Sequence, residues 1–466
     1  MIDRSATTET EFLTQILAQQ SYLAPWCWQN PYRDDGKELC DQAIVVNNSV
    51  VLFFDRRLES QDTVSGLQSD ITKWRRWHRR TILKQQSSAR RAIGYLRDKG
   101  RIFDTAKCDH DISTWDTNEG PEVHIIITGH DTGFRWFESR FADDFERMGL
   151  NVPFRPPQIV GDHPTVRYVR KANQTVSLFE IELRKGLPVI YADIVSLIVI
   201  FSTLDTVTDL LAYLKTKNSY VQNQETYTQK GEESELSKYL ARYIQGTGQF
   251  TFKHADPKIE QRAAAVGATW NDFVCEREYH EWRNARAKSQ WWDSLIRTIT
   301  SGKTLTENAA IRSQVSRMGI AREMTLEPRI QRQYLTHQFT TKNIKIRQGK
   351  VGLTGIDSRS FPSAQFGLAY AYIHMKNVPR ESDEERNFKE MQCFIHTSVG
   401  LLRYKIGINR VVCLIFNWPT GETANLSGAF YADKSTLTCK HIAVAELWDK
   451  LDPTVWQRMQ SGWQLS

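Results

Sequence analysis

Residues 36–57 read GKELCDQAIVVNNSVVLFFDRR, and this stretch decides the fold of the N-terminal part of the chain. Two apolar runs, 43–46 and 50–54, are separated by Asn47-Asn48-Ser49, which are residue types that favour tight turns and tolerate positive φ. Every position in both runs is apolar, which is typical of strands that are buried on both faces. The stretch therefore predicts a β-hairpin inside a sheet.

Acidic residues flank this hairpin, with Asp41 before the first strand and Asp55 at the end of the second. If the turn has three residues, Asp41 faces Asp55, since opposing side chains on paired strands lie ~5 Å apart. Arg57 then shares the face of Asp55, because side chains alternate along a strand. A two-residue turn instead places Asp41 opposite Phe54 and favours Arg56, and the sequence leaves both registers open.

Two carboxylates at this separation suggest a metal site. They repel one another and raise the pKa of one of them, unless a divalent cation lies between them. Mg²⁺ prefers carboxylate oxygens and keeps several of its waters. Asp41 and Asp55 are therefore candidate ligands for Mg²⁺ or Mn²⁺ in metal-assisted hydrolysis.

Helical patterns lie on both sides of the hairpin. Residues 8–23 and 69–99 carry apolar side chains at helical spacing. Strand patterns return at 123–128 and 187–191, and a helix is expected through 206–215. This alternation predicts an α/β fold with an N-terminal mixed sheet flanked by helices.

The composition shifts twice along the chain. The polar stretch 221–235, VQNQETYTQKGEESE, is the best linker candidate. We therefore predict an N-terminal α/β domain at 1–220, a helical basic middle region at 236–345 and a C-terminal α/β domain at 350–466.

The overall composition excludes several classes of protein. Of the 466 residues, 40% are apolar, so the chain can bury real cores and is not disordered. Seven scattered cysteines without a CxxC pair argue against a disulfide framework and a zinc knuckle. No stretch approaches the ~20 apolar residues of a membrane span, and the N-terminus lacks the order of a signal peptide. We expect a cytoplasmic protein that makes no membrane contact.

A basic stretch follows the hairpin. The net charge of +7 is too small to prove a nucleic-acid partner, but residues 73–91, KWRRWHRRTILKQQSSARR, hold eight Lys or Arg and no acid. Phosphates neutralised by such side chains release counterions, which drives binding. A solvated basic face over buried Trp74 and Trp77 is an equally good interpretation. The candidate nucleic-acid contacts are Lys73, Arg75, Arg76, Arg79, Arg80 and Lys84.

An acid that opens one strand, an acid and a basic residue that end the next, and a helix on either side resemble the PD-(D/E)XK nuclease superfamily. The ELCD and VVLFF blocks before a Trp- and Arg-rich helix are also similar to uncharacterised bacterial proteins with such a domain, and this similarity implies a use in defence against phage. The resemblance covers roughly residues 1–130. It implies that Asp41 and Asp55 bind the metal, and that Arg56 or Arg57 orients the attacking water and offsets charge on the phosphate.

The resemblance implies further site residues. Glu11 or Glu38 supplies another carboxylate, and Gln85 or Gln86 reaches the site from the basic helix. The family pattern ends in Lys, where this chain has Arg; an Arg side chain stays protonated, so it stabilises charge but does not act as a base.

The function implied is a Mg²⁺- or Mn²⁺-dependent endonuclease that acts on DNA in preference to RNA, as an effector in defence against phage. The C-terminal region would recognise a protein partner or control activity. The alternative is a degenerate nuclease fold that binds nucleic acid or scaffolds a defence complex. A third interpretation is a protein-interaction subunit whose basic helix docks an acidic partner.

Overall fold

The computed structural model divides the chain into two compact units, Met1–Arg283 and Asn284–Ser466. The residues that it describes are 9–57, 79–98, 100–115, 120–130, 165–169, 180–182, 189–192, 194–224, 226–230, 232–245, 256–266, 270–301, 314–347, 356–362, 365, 367–376, 401–402, 407–418 and 425–434.

The first unit contains both helices and strands, as the sequence predicts. In chain order they are α1 (Glu9–Tyr22), β1 (Cys27–Gln29), β2 (Gln42–Val46), β3 (Ser49–Arg57), α2 (Lys84–Asp98), β4 (Glu122–His130), β5 (Thr165–Val169), β6 (Glu180–Glu182), β7 (Val189–Ala192), α3 (Ile194–Thr203), α4 (Val207–Gln222), β8 (Thr226–Lys230), α5 (Glu232–Gln245), α6 (Pro257–Val266), α7 (Trp270–Phe273) and α8 (Arg277–Ser301), which continues into the second unit.

A five-stranded mixed sheet forms the centre of this unit, in the order β1-β2-β3-β4-β7. The strands β1, β2 and β3 are antiparallel neighbours, whereas β3, β4 and β7 run parallel. Parallel neighbours need a crossover connection, and α2 lies in the connection between β3 and β4. The predicted α/β fold is confirmed.

Apolar side chains cover both faces of the sheet. On one face, Ile93 of α2 packs in the same buried cluster as Leu52 of β3. On the other face, Phe53 lies edge-on to Phe201 of α3, with ring centroids 5.8 Å apart, and Tyr22 of α1 contacts the same ring. Burial on both faces explains why the two hairpin strands are apolar at successive positions.

The turn between β2 and β3 has two residues, Asn47 and Asn48, since Val46 pairs directly with Ser49. Asn47 adopts a φ of 50°, in the left-handed region that Asn tolerates better than most residues. A two-residue turn of this kind matches the natural twist of the paired strands.

This turn settles the register that the sequence left open. Gln42 pairs with Phe53, so one residue further Asp41 lies opposite Phe54. The three-residue turn, and with it the direct opposition of Asp41 and Asp55, is therefore wrong.

Residues 221–235 are also not a linker, contrary to the sequence-based prediction. They contain the end of α4, the strand β8 and the start of α5, and β8 pairs with β5. The carboxylate of Glu232 is buried, and it accepts hydrogen bonds from Tyr213 and Lys217. The sequence does not distinguish a buried, hydrogen-bonded Glu from a solvated one, so the polar composition of this stretch wrongly predicts a linker.

The second unit is also built from helices and a sheet. The buried carboxylate of Asp293 in α8 bonds to Arg329 at 2.8 Å and to Arg332 at 2.6 Å, which ties two helices together. The further elements of the second unit are α9 (Gln314–Thr325), α10 (Arg329–Arg347), β9 (Ile356–Pro362), β10 (Leu368–Lys376), β11 (Arg410–Trp418) and β12 (Asn425–Asp433). Its four strands form a sheet in the order β12-β11-β10-β9.

The sequence pattern of this unit also predicts helices at 383–404 and 444–451, which fall largely or wholly on residues that are not described. Of 383–404 only residues 401–402 are described, and both are helical, whereas 444–451 lies outside the described residues. Across the described part of both units, no helix is long and apolar enough to cross a membrane.

Candidate active site

Asp41 is fixed immediately before β2 by its own backbone. Its N–H donates to the carbonyl oxygen of Phe53 at 3.1 Å, and its carbonyl oxygen accepts from the N–H of Asn30 at 3.0 Å. Its side chain reaches across to β3, where Oδ2 accepts the N–H of Asp55 at 2.6 Å. The carboxylate of Asp41 is thus anchored to the end of β3, although its residue is opposite Phe54.

Acidic side chains from three parts of the chain converge electrostatically on Asp41. The pKa of the Asp41 carboxyl is raised to about 8, mainly by burial and also by the charges of Asp55, Glu38 and Glu11, against the lowering effect of the hydrogen bond from the Asp55 N–H. The pKa of Glu38 is also raised, by partial burial and by the charge of Glu11. The four carboxyl groups that the sequence singles out therefore lie close enough to sense one another.

Asp55 lies at the inner side of this acidic group. Its side chain is 4% exposed, and the residue pairs with Thr128 of the parallel strand β4. Its carbonyl oxygen accepts a hydrogen bond from Nε2 of the buried Gln85 at 3.1 Å. The expectation that a glutamine of the basic helix reaches the site is met in this geometry by Gln85.

A cavity of about 340 Å³ opens beside Asp41. Two acids line it, Glu38 and Asp41. Five basic residues also line it, namely Arg33, Lys37, Arg56, Lys84 and Arg91. Asp55 is not among the described residues that line it. The cavity combines carboxylates, which can hold a divalent cation, with cationic side chains, which can hold phosphate.

Arg56 is the basic residue of β3 that the described site includes. It is exposed and lines the cavity together with Phe54, two positions earlier on the same strand face. The two-residue turn and the cavity therefore both favour Arg56 over Arg57, whose side chain lies outside what the structure describes.

One wall of the cavity was not anticipated from the sequence. It is the turn Arg33–Lys37, in which the N–H of Arg33 donates to the carbonyl oxygen of Lys37 at 2.9 Å. Asp35 forms ion pairs with both basic side chains. The local signal was the sequence RDDGK, a turn-forming motif with a basic residue at each end, just before the ELCD block.

Part of the basic stretch also lines the cavity. Lys84 lines the cavity, and Arg91 and Ser88 join it from the same side of α2. Arg79 and Arg80 are exposed in the π-helical turn Arg79–Leu83 that precedes α2. The remaining predicted contacts and the two tryptophans lie outside the described residues, namely Lys73, Trp74, Arg75, Arg76 and Trp77.

The acidic group fits a divalent cation in its charge. Several carboxylates act on Asp41 and its pKa is raised, which is the situation that a bound cation relieves. Among the described residues, no set of three or more His, Cys, Asp or Glu has a metal-ligating arrangement. Mg²⁺ is commonly bound through only one or two carboxylates, with waters and substrate phosphates completing its shell, so the residues present suit that ion.

Comparison of the chain with protein-family models, with curated proteins and with solved structures found no match.

Proposed function

We propose that this protein is a metal-dependent nuclease that hydrolyses phosphodiester bonds in DNA. The observation that carries the proposal is the cavity in which Asp41 and Glu38 lie beside five basic side chains. Metal-dependent hydrolysis of a phosphodiester uses both kinds of group, because carboxylates hold the divalent cation and basic side chains stabilise the charge on the phosphate. The resemblance to the PD-(D/E)XK superfamily, with its order of strand and helix, supports the same chemistry.

In this proposal the acidic residues hold the cation. Asp41 and Asp55 bind Mg²⁺ or Mn²⁺, with Glu38 or Glu11 as a further carboxylate, and the cation supplies Lewis-acid activation of the phosphate and of water. Asp41 is oriented for this role by its hydrogen bond from the Asp55 N–H.

The basic residues handle the charge of the phosphate. Arg56 stabilises the negative charge that develops on the phosphate, as a guanidinium can with its fixed donors. Arg56 is always protonated, so it cannot accept the proton of the attacking water. We assign that role to Glu38, which lines the cavity and has a raised pKa, and this leaves Glu11 as the further carboxylate for the cation.

The experiment is a cleavage assay on end-labelled linear duplex DNA, plasmid, single-stranded DNA and RNA, with Mg²⁺, Mn²⁺ or excess chelator. The proposal predicts cleavage of DNA with either metal, slower cleavage of RNA and none with chelator. Intact substrates at high protein concentration with both metals would contradict it.

A second candidate function is nucleic-acid binding without cleavage, in a degenerate nuclease fold that scaffolds a complex. The observation that favours it is Arg56 at the position where the family pattern has Lys. In that case the same DNA is bound by wild-type protein with an affinity that does not depend on Asp41, and no product forms. The role in defence and a protein partner for the C-terminal region stay predictions.

A further inference from the structure

The cavity beside Asp41 has two basic walls. The first is the turn Arg33–Lys37, and the second is the face of α2 that presents Lys84, Ser88 and Arg91. The last three residues are spaced by four and three positions, so they lie along one side of the helix. A phosphate in the cavity would therefore meet cations from the turn and from the helix.

The turn is held rigidly in place. Gly36 has a φ of +72°, and a Cβ at this position would lie 2.8 Å from the carbonyl oxygen of Ala106. The carbonyl oxygen of Arg33 accepts from the N–H of Gly36 at 3.0 Å and from Sγ of Cys108 at 3.2 Å. A glycine is required here, and the neighbouring segment braces the turn from behind.

The two walls are also tied to each other. The backbone N–H of Asp34 in the turn donates to the hydroxyl oxygen of Tyr95 in α2 at 2.9 Å. The guanidinium of Arg33 lies over the ring of the same tyrosine, 5.4 Å from its centroid. This link fixes the separation of the walls before any ligand binds, so little ordering is needed on binding.

The cavity is small for a nucleic acid. Its volume of about 340 Å³ lies at the lower end of ligand pockets, which hold roughly 300–1,000 Å³. A nucleotide unit that enters a cavity of this volume must leave its paired partner outside, which an unpaired strand does without the cost of opening a base pair. The only aromatic side chain in its described lining is Phe54, which is buried in the core, so phosphate contacts dominate over base stacking.

We propose that the turn Arg33–Lys37 and the Lys84–Arg91 face of α2 form a phosphate clamp for one unpaired strand, so that the site selects single-stranded DNA over duplex. The inference rests on the proposed function for its ligand class and adds the form of the substrate. Since phosphates carry no sequence information, the clamp binds single strands of different sequence alike.

The test is fluorescence anisotropy of the full chain with Ca²⁺, on a labelled DNA strand alone and annealed to its complement. The clamp predicts at least tenfold tighter binding of the single strand. The double variant Arg33→Ala/Lys37→Ala is expected to lose this preference, whereas Arg90→Ala, on the same helix but outside the cavity lining, keeps it. Lys37 and Arg90 are exposed, whereas the Arg33 side chain is 25% exposed and contacts Asp35 and Tyr95, so the melting temperature of each variant is measured to show that the fold persists.

A second pair of variants tests the rigidity of the turn. Gly36→Ala is expected to weaken single-strand binding at least tenfold. Gly94→Ala, in α2 with nothing within 4 Å of its added Cβ, is expected to leave binding unchanged. Equal or tighter binding of the duplex, or a preference that survives Arg33→Ala/Lys37→Ala, would overturn the clamp. A single-strand preference without cleavage in any metal would support the clamp and reject the nuclease activity, so the two failures are distinguishable.

Discussion

The backbone N–H of Asp55 donates a 2.6 Å hydrogen bond to Oδ2 of Asp41, although the two residues are not cross-strand partners. The bond links the side chain of Asp41, immediately before β2, to the backbone near the end of β3. It fixes the carboxylate of Asp41 beside the charge of Asp55, with Glu38 and Glu11 near enough to raise its pKa as well. A buried acid held among other acids costs stability in the absence of a cation, and this cost is measurable.

The stability of the metal-free protein should fall as pH rises. The pKa of Asp41 is about 8 in the folded protein and ~3.9 in an unfolded chain. Between these values the folded state binds one proton more than the unfolded state, so the free energy of unfolding falls by up to ~1.4 kcal/mol per pH unit and levels off above the folded pKa. Asp41→Asn removes this fall, so its advantage over wild type grows from pH 5 to pH 8. Denaturant unfolding in chelator measures both curves, and parallel curves would contradict the assignment.

Divalent cation should stabilise the wild-type fold through Asp41. A ligand that binds only the folded state adds ~1.4 kcal/mol to the free energy of unfolding at ten times its Kd. We expect Mg²⁺ or Mn²⁺ to raise the melting temperature of wild type and of Asp98→Asn, an exposed carboxylate change on α2. Asp41→Asn should show little or no rise. An equal rise in all three proteins would place the bound cation elsewhere.

Two neighbouring arginines of α2 offer a matched test of the basic wall. Arg91 lines the cavity, whereas Arg90 is exposed and does not line it. Arg91→Ala should weaken DNA binding and reduce the slope of log affinity against log salt by about 0.7 to 0.9 if one phosphate contact is lost. Arg90→Ala should leave both nearly unchanged. Salt titrations of binding measure the slopes. Equal slopes for the two variants would show that Arg91 makes no direct phosphate contact and that both arginines act only through the general positive charge of the surface.

The register makes a separate prediction about the two arginines that end β3. Because Arg56 lines the cavity, Arg56→Ala should lower the cleavage rate by about 10² or more, the usual effect of losing one group that stabilises developing charge. Arg56→Lys should keep a larger part of the rate. Arg57→Lys should leave the single-turnover cleavage rate nearly unchanged. A larger loss of rate in Arg57→Lys than in Arg56→Lys would contradict the assignment of Arg56.

Periodicity predicts the elements of the N-terminal fold well, because it reports burial directly. The helix expected at 8–23 is observed at Glu9–Tyr22 and the hairpin is confirmed, and the helix expected through 206–215 is observed at Val207–Gln222, where Thr206 is its N-terminal cap. Register is harder to predict, since Asn47-Asn48-Ser49 suits a turn of two or of three residues. The polar stretch 221–235 misled because a single letter does not reveal that Glu232 is buried and paired.

The candidate site also has a part that the sequence predicts and a part that it does not. Glu38, Asp41 and Asp55 flank the hairpin closely in the sequence, so their convergence can be expected from local pairing, whereas Glu11 comes from α1. The turn Arg33–Lys37 joins them only because β1 and the segment around Phe103 bring it alongside, through the backbone pairing of Tyr32 with Phe103. Such long-range pairing leaves no periodic signal in one sequence.

The proposed function requires that metal-dependent phosphodiester cleavage in this cavity depends on the carboxylate of Asp41. Its most direct test is the single-turnover rate of DNA cleavage in Mn²⁺ for wild type, Asp41→Asn and Asp98→Asn, each shown to be folded by its melting temperature. We expect wild type and Asp98→Asn to cleave at similar rates and Asp41→Asn to lose at least a hundredfold. Equal rates for Asp41→Asn and wild type, or no cleavage by any of the three proteins, would contradict the claim.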